Sequence, residues 1–289
     1  MRYVINILFL LLSVSSFAQT NPLSRALKLY QGANLGEAKT VIDSVLMQEP
    51  YQEKVVAYYL KGFIYKDLYK SSEGQDEVLR SESIAAFVRV TELDSAGKYT
   101  QETQQNLKYL ATTYYNDAMR KIRLKSFSDA ESDFSEFARL VEQLKDPAFT
   151  LSPSSDQFYL ALGLGYADDE VLQSDTSSFR KAEAAFKKVL SRDSLNMLAN
   201  YSLGVLYYNE AVNRIDGLSF DEELTSFDQF EDRTIALFKD ALPYMQTAYN
   251  LNPKDVNVVE GLAGIYNSLR DFDRYDRYIA ELRELEKEE

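Results

Sequence analysis

Apolar and small residues recur along this chain at spacings of three and four, in two short patterns that take turns. The first is a leucine, a small residue and, three positions on, a tyrosine: Leu110-Ala111…Tyr114, Leu162-Gly163…Tyr166, Leu203-Gly204…Tyr207 and Leu262-Ala263…Tyr266, with Lys61-Gly62…Tyr65 as a weaker copy. The second is a small residue, a bulky apolar residue four later and an apolar or small one three after that, closing with Pro or Ser. It appears as Ala38/Ile42/Val45/Pro50, Ser83/Phe87/Val90/Ser95, Ala182/Phe186/Val189/Ser194 and Ala241/Met245/Ala248/Pro253. Such spacings place residues on one helical face. Alternation of the two patterns therefore predicts a stack of helix pairs, over about residues 22–49, 53–94, 102–145, 156–193, 197–252 and 255–287. A pair cannot bury its apolar face alone, so stability comes from interfaces between neighbours. Small residues such as Gly163, Gly204 and Ala241 let helices approach, and Tyr166, Tyr207 and Phe186 are expected to fill the gaps between them.

These patterns resemble the tetratricopeptide repeat, whose period is about 34 residues. The segment from Ala241 to Ala248 with Leu251-Asn252-Pro253-Lys254 is similar to the second helix and exit turn of one repeat. Leu262, Ala263, Tyr266, Phe272 and Tyr275 follow at close to the family spacing, Tyr275 being larger than the usual small residue. Ser83 to Ser95 and Ala182 to Ser194 also fit, whereas the family's frequent Trp is absent throughout. Over roughly residues 22 to 285, the resemblance implies an all-α fold, a right-handed α-solenoid of about six helix-turn-helix repeats.

Several pairs exceed the family length. Extra residues fall around Ser71 to Arg80, within a first helix lengthened by about two turns over Tyr109 to Leu124, near Asp168 to Ser178, and from about Arg214 to Arg233. Breaks at Asp146-Pro147 and Ser152-Pro153-Ser154-Ser155 mark a connection able to flex. The expected organisation is a leader over 1–18, N-terminal repeats over 19–145, a connecting segment over 146–155 and C-terminal repeats over 156–289. The last part carries the 214–233 insertion and a charged capping tail, Glu281 to Glu289.

Composition narrows the setting. Arg2, the apolar run Val4 to Leu12 and Ser16-Phe17-Ala18 read as a signal peptide cut after Ala18, and the run is shorter than the roughly 20 residues of a spanning helix. A periplasmic or secreted protein is expected, with no stable membrane insertion once the leader is gone. The chain has no cysteine, hence no disulfide, thiol nucleophile or lipid-bearing cysteine. Its net charge of −13 repels phosphate backbones and anionic membrane surfaces, so nucleic-acid binding is not expected. Histidine is absent too, which removes the commonest general base and His-based metal sites.

Candidate chemistry is correspondingly thin. Asp168-Asp169-Glu170 and Asp221-Glu222-Glu223 are the densest carboxylate clusters, and carboxylate pairs can support glycoside hydrolysis. A carboxylate-dependent envelope glycan hydrolase using Asp169 and Glu223 is thus one alternative, set against solvated charge on insertion loops. Asp216-Gly217 alone does not make a calcium loop, and no cofactor or metal is expected.

A non-enzymatic scaffold is the leading expectation. Tyr114-Tyr115-Asn116 and Tyr207-Tyr208-Asn209 occupy equivalent places, with Tyr266-Asn267 as a shorter echo. By the resemblance, first helices line a concave groove, which places Tyr115, Asn116, Tyr208, Asn209 and Asn267 near it and Tyr59, Lys66 and Lys108 on the same wall. Tyrosine offers large contact area at low entropy cost, and asparagine can hydrogen-bond an extended peptide; packing between helices is the competing role. The expected partner is a protein or peptide. The insertion, with Phe220, Phe227 and Phe230 among acidic residues, is either an amphipathic segment over the groove or a longer helix covering its own repeat. Self-assembly through this insertion or through the end of the array is the remaining alternative.

Overall fold

A computed structural model describes residues 21–168, 171–172, 177–216 and 224–288. Among them are twelve α-helices and no strand. They are α1 (Pro22–Gln31), α2 (Leu35–Leu46), α3 (Val55–Ser71), α4 (Glu77–Leu93), α5 (Thr100–Arg123), α6 (Phe127–Leu144), α7 (Ser152–Tyr166), α8 (Ser178–Leu190), α9 (Met197–Asp216), α10 (Leu224–Leu251), α11 (Val256–Ser268) and α12 (Phe272–Glu288). The proposed leader lies outside the described residues.

The chain divides into two compact units. Unit 1 holds residues 1–116 and 133–150; unit 2 holds 117–132 and 151–289. In unit 1, α1 pairs with α2 and α3 with α4, while α2 and α1 pack on α3. In unit 2, α7 pairs with α8, α9 with α10 and α11 with α12; α8 packs on α9 and α10 on α11. First helices also touch first helices, α9 lying against both α7 and α11. This is the all-α repeat architecture that the two alternating patterns predict.

The second pattern is the core. Ala38, Ile42, Val45, Ser83, Phe87, Val90, Ala182, Phe186, Val189, Ala241, Met245 and Ala248 are all at most 1% exposed. The first pattern supplies their seats. A Cβ added at Gly62 would stand 2.6 Å from the Phe87 ring, and one at Gly163 would stand 2.6 Å from the Phe186 ring. At Gly204 the neighbour is Met245, at 3.1 Å. In these hairpins a bulky second-helix side chain lies on bare backbone of the first helix, and at Gly62 and Gly163 the ring is closer than a Cβ could stand without a shift.

The hairpin turns are alike in a way the sequence hides. Ala33, Glu73, Lys125 and Arg270 adopt left-handed φ of 60°, 56°, 58° and 58°. In each case a backbone N–H then reaches five residues back: Asn34 to Leu29, Gly74 to Tyr69, Ser126 to Lys121 and Asp271 to Tyr266, at 2.9, 3.0, 2.9 and 2.9 Å. These are helix C-caps built without the glycine that usually marks them.

The expected connecting segment is shorter than the sequence suggests. Ser152 to Ser155 open α7, with Pro153 in its first turn where a missing N–H is tolerated. The remaining connection is held within unit 1: Lys108 pairs with Asp146, Ala148 N–H donates to Asp146 Oδ1 at 2.8 Å, and the Phe149 ring meets Phe137 edge-on at 6.1 Å. At the 214–233 insertion, the described residues extend α9 to Asp216 and start α10 at Leu224, in line with the longer-helix alternative for those residues; Phe220 and the Phe227 side chain lie outside the described residues.

The glycine seats give opposite expectations for one substitution. Gly163→Ala drives a methyl into the Phe186 ring and is expected to destabilise, although alanine is the better helix former by about 1 kcal/mol. Gly36→Ala in α2, with nothing within 4 Å, is expected to stabilise by roughly that amount. Phe186→Ala is expected to cost roughly 3–5 kcal/mol. Chemical denaturation of the three variants checks this; equal effects of the two alanines would contradict the packing.

Candidate functional site

Of the residues expected on the groove wall, those in α3 are tied into the structure. Tyr59 and Lys66 are 9% and 8% exposed. The Tyr59 hydroxyl donates to Glu102 in α5, and its ring lies 4.6 Å from that of Tyr99. Lys66 Nζ donates to Asn106 Oδ1 at 2.6 Å and sits 4.2 Å from the Phe63 ring centroid. From α1, the Tyr30 hydroxyl donates to Asp67 Oδ2 at 2.7 Å. Neighbouring first helices of unit 1 are thus cross-linked by their own polar side chains. Lys108 is engaged with Asp146, and the ammonium together with the Ala148 N–H holds that carboxyl below the usual carboxylate range.

Tyr115 and Tyr208 are half-buried. Tyr115 packs 5.3 Å from Phe137 in α6, and burial raises its hydroxyl above the ordinary tyrosine value. Tyr208 packs 5.5 Å from Phe238 in α10, and its hydroxyl stands 3.0 Å from where a Gly264 Cβ would be, so the side chain reaches from α9 to α11. Each therefore leans on the second helix of its own hairpin. Asn116, Asn209 and Asn267 are exposed. In unit 2 the structure brings Tyr208 to α11 one turn before Asn267.

Three of the five tyrosines of the repeating pattern share a task. Tyr65 donates to Asp43 Oδ2 at 2.7 Å, Tyr207 donates to Glu183, and Tyr266 accepts from Gln246 Nε2 at 2.7 Å. Each bond runs back to the second helix of the preceding hairpin. Tyr114 differs, taking the Arg80 guanidinium over its ring at 3.6 Å. Asp43, Glu183, Gln246 and Arg80 fall whole helical turns apart when counted from Ala38, Ala182, Ala241 and Ser83, so the four partners occupy a common stripe. Burial, then the bond to Glu183, pushes Tyr207 up to about 12. Arg80, in a stretch that reads as surplus loop, is 1% exposed; nothing in its sequence surroundings signals a buried cation.

Sequence reasoning also passed over an open apolar stripe. Leu198, Tyr201, Val205, Tyr208 and Val212 are spaced three and four apart along α9, and none of them is fully buried. Leu198 is 45% exposed, as is Leu164 on neighbouring α7 at 46%. The 3-4-3-4 spacing was the available signal, hidden because α9 is apolar on its other faces as well.

Among the described residues, no group of three or more acidic side chains is placed to hold a metal ion. Asp168 pairs with Lys125 at 3.0 Å, while Asp169 and Glu223 lie outside the described residues. No described helix is long and apolar enough to cross a membrane.

No family profile and no curated protein matches this chain. Among solved structures, the crystal structure of PilW, described as a widely conserved type IV pilus biogenesis factor, aligns over 93% of this chain and 94% of its own, with 14% identity and a TM-score of 0.37. A likeness that remote carries no argument about what this chain does.

Burial pushes the Lys66 ammonium down to about 8 from its ordinary 10.5. Between those values the unfolded chain holds a proton that the folded chain has released, so this lysine makes stability rise with pH across that window. Relative to Lys66→Met, the parent protein is expected to gain stability from about pH 8 towards 10.5, measured by denaturant titration. A difference that stays flat contradicts a buried lysine of lowered pKa.

Proposed function

We propose that this chain is a non-enzymatic protein-interaction scaffold of tetratricopeptide type. It is exported to the periplasm or cell exterior with its leader cut after Ala18, and it binds a protein or peptide partner across the exposed face of its first helices. The observation that carries the reading is the repetition itself: partly exposed Tyr115 with exposed Asn116 on α5, partly exposed Tyr208 with exposed Asn209 on α9, and exposed Asn267 on α11, at equivalent places of their helices. A tyrosine anchored at one edge is a rigid contact surface, and a neighbouring asparagine amide both donates and accepts. The step from repeat architecture to partner binding is an inference from fold, made specific by these positions.

The test is affinity capture from the native cell envelope with residues 19–289 as bait and mild crosslinking. Tyr115→Ala with Tyr208→Ala, and separately Asn116→Ala with Asn209→Ala and Asn267→Ala, are expected to lose a reproducible partner while circular dichroism stays helical. Undiminished capture by both variants would count against this face.

A further inference from the structure

Resting on that reading, we propose that residues 146–149 stand in for part of the partner. Asp146 and Phe149 occupy a seat on α5 and α6 of unit 1, and a partner segment with an acidic residue followed three positions on by an aromatic one displaces them from it.

The seat is defined by what fills it. After Leu144 the chain turns through Lys145 at a left-handed φ of 50° and folds on itself. Phe149 N–H donates to the Asp146 carbonyl at 3.0 Å, and Ala148 N–H to Asp146 Oδ1 at 2.8 Å. These backbone bonds stay inside the segment, so side chains attach it to the helices. The Asp146 carboxylate pairs with Lys108 of α5. The Phe149 ring stands edge-on to Phe137 of α6 at 6.1 Å, and the Lys108 ammonium lies 6.0 Å from the centre of the same ring. One lysine therefore reads a carboxylate and an aromatic face together, and the turn sets the two residues three apart. Phe137 in turn packs 5.3 Å from Tyr115. The seat thus adjoins the tyrosine and the exposed Asn116 on which the scaffold reading rests.

The hold on the segment is light. The Lys108 and Asp146 side chains are 31% and 21% exposed, and an ion pair open to water contributes little because solvent screens it. Lys145 carries a Cβ into the left-handed region, which costs energy that releasing the turn recovers. Pro147 and Ala148 are exposed. The advantage of the segment is its tether, which keeps its local concentration high. A partner with the same acidic and aromatic pair overcomes that advantage by further contacts at Tyr115 and Asn116, which the short turn does not make. A basic residue in place of the acidic one is rejected, because it would face the Lys108 ammonium.

The experiment is fluorescence anisotropy of the purified protein with a labelled peptide of residues 143–152 as the probe. Asp146→Ser with Phe149→Ser vacates the seat. This variant is expected to bind the probe at least about tenfold more tightly than the parent, whose tethered copy competes. Adding Lys108→Met should weaken that binding by about tenfold or more, and a probe with Asp146→Ser and Phe149→Ser should not bind. Circular dichroism confirms that each variant is folded. Asp146→Ser alone leaves the ring in place, should give a smaller gain in the same direction, and serves if the paired variant loses helicity. No binding by the vacated protein, or equally tight binding by the parent, overturns the seat, and binding indifferent to Lys108→Met overturns the paired recognition. Envelope capture scores the scaffold reading independently: a partner captured there without probe binding here leaves the scaffold standing and removes only the seat.

Discussion

Everything in this protein hangs on how closely two antiparallel helices can approach. Where the first helix carries glycine, as at Gly62 and Gly163, a phenylalanine of the second helix lies against backbone at a distance that a methyl group would forbid. The contact fixes the register of the hairpin, because sliding by one residue would set the ring against a Cβ. With the register fixed, the remaining apolar residues of both helices are brought to the faces that the next hairpin must cover. A single close contact, repeated with local variation, thereby turns a one-dimensional pattern into a stack of hairpins within each unit.

The second consequence is polar. Once hairpins stack, the tyrosine three residues after the small one is carried against the preceding second helix, where its hydroxyl needs a partner. Asp43, Glu183 and Gln246 supply one, and Arg80 supplies a cation to Tyr114 instead. In unit 1 the first helices spend their outward polar residues on each other, Tyr30 on Asp67, Tyr59 on Glu102 and Lys66 on Asn106. In unit 2 the corresponding positions on α9 are Tyr201, Val205 and Tyr208, each partly exposed, with Tyr208 packed on Phe238.

The fold was legible because its signal is periodic. All four copies of the small–bulky–apolar pattern proved to be core, and the hairpin boundaries lay near the predicted ones. A fifth copy, Ala130/Phe134/Phe137 in α6, passed unnoticed because that helix runs on to Leu144 and has no closing Pro or Ser. The left-handed turns at Ala33, Glu73, Lys125 and Arg270 left no mark, since none of them is glycine. The site was less legible. Exposure of Asn116, Asn209 and Asn267 follows from helical phase, which the spacing fixes. That Tyr59 and Lys66 are buried depends on Glu102 and Asn106 arriving from α5 and Tyr99 from the turn before it, and spacing within one helix carries no information about that. The partly exposed stripe on α9 escaped for the complementary reason: an apolar face looks like core until the neighbours are seen to cover it only in part.

The claim that the glycine seat fixes its hairpin is tested most directly by a double-mutant cycle at Gly62 and Phe87, using Gly62→Ala, Phe87→Leu and the pair, with stability read by urea denaturation. Leucine is shorter than the ring that the new methyl would strike, so the double variant is expected to be more stable than the sum of the single losses predicts, by about 1 kcal/mol or more. Losses that add within about 0.5 kcal/mol would mean that the two positions do not touch in this way, and the contact on which the architecture is built here would not be the one that holds it.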